Sequence, residues 1–115
     1  RLRLAVIKAE KRRVQAAIFL LEDEEFQGLW SALQMQVQEV REMIGERARI
    51  LNMQMRRIGF HSFDGEDEKL AALKVSVDSQ LNEAEEIEGE IIRLCDKHGV
   101  DPCRYLVVDA IRENR

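Results

Sequence analysis

The chain has 115 residues, 45% of them hydrophobic and 35% charged, with aromatics at only 5%, a single proline and a formal net charge of −4. This length allows one domain, and the composition is that of a helical bundle or coiled coil rather than an all-β fold. No apolar run approaches the roughly 20 residues that span a bilayer, and the acidic balance gives no overall pull toward nucleic acid.

In chain order, the first predicted helix covers residues 2–58 without meeting a proline. Trp30, Val37, Ile44, Leu51 and Ile58 repeat every seven positions, with Phe26, Leu33 and Val40 in a row beside them. Met55 and Ala48 read as part of that seam, and Met35, Met43 and Met53 as flanking residues. Upstream, Ile7, Val14 and Leu21 keep the seven-residue spacing with Ile18 alongside, whereas Phe19 belongs to the row of Phe26. The apolar phase therefore changes near the acidic run at residues 22–25. A change of buried face in a continuous helix is the expected outcome, because Gly28 alone costs only about 1 kcal/mol relative to Ala.

Residues 59–65 read as a turn, with Gly59 closing the first helix and Ser62 or Asp64 capping the next. Phe60 and Phe63 are expected to plug the hairpin end. The second helix, 66–98, opens with Glu66, Asp67 and Glu68, acids that suit the positive end of a helix dipole. Leu70, Val77, Ala84 and Ile91 form its heptad row, with Leu73, Ile87 and Leu94 beside them. Gly99 ends it, with Val100 making the accompanying apolar contact. Asp101-Pro102 then starts a short helix, 102–112, whose apolar face is Cys103, Leu106, Val107 and Ala110.

The predicted fold is all-α: a long antiparallel, coiled-coil-like hairpin with a short third C-terminal helix, in a single domain covering 1–115. Pairing the rows about the turn sets Ile58 beside Leu70 and Trp30 level with His98. The first helix then overhangs, leaving Ile7, Val14, Ile18, Phe19 and Leu21 short of cover. An exposed stripe of that size points to a binding surface. The expected partner is a second copy of the chain, a dimer being favoured, or a helical protein.

Arg3, Lys8, Lys11, Arg12 and Arg13 make the same segment basic and are candidate anion-binding residues. They read first as a solvated helix face, pairing with acids such as Glu83, Glu85, Glu86, Glu88 and Glu90 of a neighbouring chain. Nucleic-acid binding is the less favoured alternative, since no aromatic is interleaved among them.

Cys95, His98 and Cys103 overlap part of a zinc-knuckle spacing, but a structural zinc needs four ligands, and Asp96 or Asp101 would have to complete the set. Two small thiols packed around a turn is the simpler reading, with no metal and no cofactor. The helix–turn–helix pattern at 94–111 reads as a packing corner, because Asp109 and Glu113 interrupt any basic reading face. His61 reads as a polar turn residue. There is no phosphate loop, nucleophile–base pair or di-iron Glu-x-x-His motif, so an enzyme is not expected.

In general shape and charge the hairpin resembles the small helical chaperones of flagellar and type III secretion export. Phage assembly proteins and coiled-coil segments of larger cytoskeletal or signalling proteins share that shape, and the uncovered stripe makes a scaffold, adaptor or chaperone role the expectation. Two cysteines and no signal peptide suit a reducing, cytoplasmic setting, and a chain starting at Arg1 reads as a piece of a longer protein.

Overall fold

The computed structural model describes residues 2–114, apart from the side chain of Phe60. Its element order is α1 (Leu2–Glu22), α2 (Glu24–Arg56), a 3-10 turn (Ile58–Phe60), α3 (Glu66–His98), a second 3-10 turn (Pro102–Tyr105) and α4 (Val108–Asn114). The molecule measures 71 × 28 × 15 Å. Helices α2 and α3, 33 residues each, form the long antiparallel hairpin, and the C-terminal segment folds back from its open end to lie along the middle of the hairpin.

The predicted continuous first helix is broken at Asp23. This residue leaves the helix with extended angles, φ −69° and ψ 118°, and its carboxylate accepts the Glu25 and Phe26 amides. It thus caps α2, a role suited to a short acceptor side chain at a helix N-terminus. The break also resets the helical phase. Phe26 faces the core of the hairpin, and the residue of α1 that does so is Leu20, fully buried, rather than Phe19, which is half-exposed.

The axial register differs from the heptad expectation by about two turns. His98 lies opposite Asp23 rather than Trp30, Arg93 meets Glu25, and Glu83 meets Gln36. Heptad rows state which face is buried and leave the level along the axis open; these cross-helix pairs set it. Trp30 instead stacks with Phe26, centroids 6.4 Å apart, and Tyr105 meets both rings edge-on at 5.0 and 5.1 Å. This aromatic cluster joins α2 to the second 3-10 turn.

On α3 the buried row Val77, Ala84 and Ile91 matches the expectation, as does fully buried Leu94 with partly buried Leu73 and Ile87 beside it, and a further row, Leu81, Glu88 and Cys95, is buried as well. On α2 the row Phe26, Leu33 and Val40 passes on to Arg47 and Gln54, which are only half-buried. Toward the turn the seam is therefore polar. Leu51, Met55 and Ala48 lie outside it, Ile58 is 95% exposed, and Ile50 is the buried residue on that stretch of α2.

At the turn, neither Ser62 nor Asp64 caps α3; Gly65 occupies that position with φ 84°. Glu66 ties the turn together instead. It forms a two-pronged ion pair with Arg57 and accepts the Phe63 amide at 2.7 Å. Phe63 does not plug the end; its largely exposed ring lies 3.4 Å beneath the Arg57 guanidinium. The Phe60 ring lies outside the described residues.

The Arg57 hydrogen bonds, and then the Phe63 amide, lower the Glu66 pKa from 4.5 to about 2. A depressed carboxyl pKa contributes stability above the ordinary value, and that contribution is lost as pH falls from 4.5 toward 2. Titration of the Glu66 carboxyl carbon by NMR should show a midpoint near 2, moving toward 4.5 in Arg57→Ala. A midpoint unmoved by that substitution would contradict the ion pair as cause.

Helix α3 ends as expected at Gly99, φ 71°, with the Val100 amide donating to the Cys95 carbonyl at 2.8 Å. The third helix does not run over 102–112. The chain makes a 3-10 turn capped by Asp101, then starts α4 only at Val108. Its inward residues are Tyr105, Val108 and Ile111, whereas Cys103, Leu106 and Ala110 are exposed.

Candidate interaction surface

Helix α1 projects from the open end of the hairpin, anchored only near its C-terminal end. Leu20 enters the core, Ala16 and Ala17 are half-buried, and Ala17 lies beside the turn that carries Gly99 and Tyr105. Asp23 holds the joint from the other side. Its Oδ2 lies 3.0 Å from His98 Nε2, and this contact leads the causes that lower its pKa.

The remaining apolar residues of α1 find no cover. Ile7, Val14, Ile18 and Leu21 are between 47% and 60% exposed, and Leu2, Leu4 and Val6 more than half. Ile7, Val14 and Ile18 line a shallow groove along the helix with Glu10, Lys11 and Gln15. At about 100° per residue, Ile18 and Leu20 point to opposite sides of α1. The stripe therefore faces away from the hairpin. Phe19 is 52% exposed but lies off this face, so the five residues expected to share one surface divide into a stripe of four and one outlier.

Arg3, Lys8, Lys11, Arg12 and Arg13 are all exposed, and none takes part in an ion pair among the described residues. They are distributed around the whole circumference of α1 and form no single basic face. Of the acids expected to meet such a segment, Glu85 is bound to Arg112, Glu90 to Arg93 and Glu83 to Gln36. Glu88 is not a surface residue. Its Oε2 accepts the Val107 and Val108 amides at 2.6 and 3.1 Å, inside the core.

Glu88 is the structurally decisive residue that sequence reasoning missed. The signal was present: Leu81 and Cys95 stand seven positions before and after it, so the heptad places Glu88 in a buried row. What the repeat leaves out is the acceptor's purpose, which depends on α4 folding back.

Cys95, His98 and Cys103 are not brought together. Cys95 is in the core, Cys103 is exposed, and His98 is turned to Asp23. Burial raises the Cys95 thiol pKa, and the Asp101 carboxylate raises that of Cys103, so both favour the neutral thiol. Among the described residues no three His, Cys, Asp or Glu side chains are grouped to hold a metal ion. No described helix is long and apolar enough to cross a membrane. His61 is exposed in the turn, its carbonyl accepting from Arg57.

Comparison with protein-family models, curated proteins and solved structures finds no match to this chain.

Proposed function

We propose that the chain is a non-enzymatic interaction module that assembles, with itself or with a partner helix, through the outward stripe of α1. Its role is that of a scaffold, adaptor or secretion-chaperone-like protein. The carrying observation is that Ile7, Val14, Ile18 and Leu21 lie on a projecting helix and face away from its own body. A large apolar side chain gains about 1.5–3 kcal/mol on going from full exposure to full burial, and these four, about half-exposed, each stand to gain roughly half of that on association. A reducing, cytoplasmic setting belongs to this reading and is supported by two free cysteines.

Nucleic-acid binding by the basic arm is the competing reading, supported by five exposed cations that form no ion pair among the described residues. Their scatter around the helix is its weakness. A gel shift at low salt, lost on neutralising Lys11, Arg12 and Arg13, would favour it.

The test is sedimentation of the full chain. Ile18→Asp or Leu21→Asp should reduce the assembled species, with helix content by circular dichroism unchanged because both positions are exposed. Sedimentation identical to wild type would overturn the reading.

A further inference from the structure

The outward face of α1 has a property beyond being apolar. Leu4, Ile7, Lys11, Val14, Ile18 and Leu21 follow one another at intervals of three, four, three, four and three. This is a two-row coiled-coil seam, and the intervals read the same from either end. A seam with that symmetry can pair with a copy of itself running the opposite way. Leu4 then meets Leu21 of the second copy, Ile7 meets Ile18, and Lys11 meets Val14.

Charge selects the same arrangement. The N-terminal part of α1 carries Arg3, Lys8, Lys11, Arg12 and Arg13 against one acid, Glu10, and its other end runs into Glu22 and Glu24, Asp23 and Glu25 being taken by His98 and Arg93. Antiparallel pairing sets Arg3 level with Glu22 of the second copy, beside Glu24. Parallel pairing would place Lys11 directly against its own copy in the seam, two like charges in contact. In the antiparallel register Lys11 packs its methylene stem on Val14 and extends its ammonium to solvent. Leu20 and Ala16, on the side of α1 that holds the hairpin, remain turned away, and Ala17 borders the seam.

We infer that the occupant of this face is α1 of a second copy, paired antiparallel with Ile7 against Ile18, so that two hairpins project from a central two-helix seam. The inference rests on the stripe being the assembly surface, as proposed above.

The test uses full-length chains carrying Cys103→Ser, which removes the exposed thiol and leaves Cys95 buried. Ile7→Cys and Ile18→Cys are made separately; both positions are about half-exposed, so neither should disturb the monomer fold. Under mild oxidation, the mixed variants should give a covalent dimer on a non-reducing gel. Ile7→Cys alone should not, since two copies of residue 7 would lie about 16 Å apart along the seam.

Equal cross-linking by Ile7→Cys alone would mean a parallel pair and overturn the inference. Absence of a covalent dimer in the mixture would overturn it too. If wild type is nevertheless a dimer that Ile18→Asp dissociates, the stripe stands and only the pairing fails. A wild-type chain that stays monomeric by light scattering at millimolar concentration excludes a second copy as occupant, leaving the stripe to a different helix.

Discussion

Phe26→Ala is expected to lower the unfolding free energy by about 3–5 kcal/mol, the range for truncating a buried aromatic ring. Few positions in this chain concentrate as much contact. Phe26 is 1% exposed, stacks on Trp30 and receives the edge of Tyr105 at 5.0 Å. It also sits in the first turn of α2, directly after the Asp23 cap, in the same core as Leu20. Its removal therefore loosens three elements at once: the α1 joint, the α2–α3 seam and the 3-10 turn carrying Tyr105.

For a chain whose total stability is of the usual 5–15 kcal/mol, this loss is a large fraction. Urea unfolding followed by circular dichroism should show the midpoint fall with little change in slope. Emission of the sole tryptophan, Trp30, should shift to the red as its ring gains solvent. A loss below about 1 kcal/mol would mean that the cluster is not the principal core.

Glu88→Ala should cost about 2–4 kcal/mol, because it leaves the buried Val108 amide and the part-buried Val107 amide without an acceptor. The carboxylate approaches both amides within hydrogen-bond distance and is 7% exposed. Helix α4 has only seven residues and does not sustain itself. Its attachment depends on this acceptor, on Val108 and Ile111 in the core, and on Arg112 reaching Glu85 and Asn82. Hydrogen exchange at Val107 and Val108 should lose its protection in Glu88→Ala, while the α3 amides around Leu81 keep theirs. Glu88→Gln retains an acceptor oxygen and should cost less than the alanine variant. Equal losses would show that the negative charge, rather than the acceptor, holds α4.

Both predictions place stability in the open half of the hairpin. The turn end is held differently, by a polar seam around Arg47 and Gln54 and by the Arg57–Glu66 ion pair. That contrast also separates the stabilising core from the proposed binding surface. Packing around Phe26, Leu20 and Glu88 positions α1, and the residues proposed to bind lie beyond it on exposed helix.

The all-α class, the hairpin, the Gly99 stop and the uncovered stripe with Ile7, Val14 and Ile18 were legible in the residues themselves. Each depends on a local rule: the seven-residue period chooses a buried face, and a left-handed glycine ends a helix. The tertiary structure alone decided the axial register, the break at Asp23 and the inward turn of Glu88. These depend on groups distant in sequence that become adjacent only on folding. Asp23 is a helix cap whose second contact is His98, 75 positions away, and Glu88 serves amides 19 and 20 positions ahead. A periodic pattern is unchanged when one helix slides along another by whole turns, so only such long-range contacts can set where the hairpin ends and the projecting helix begins.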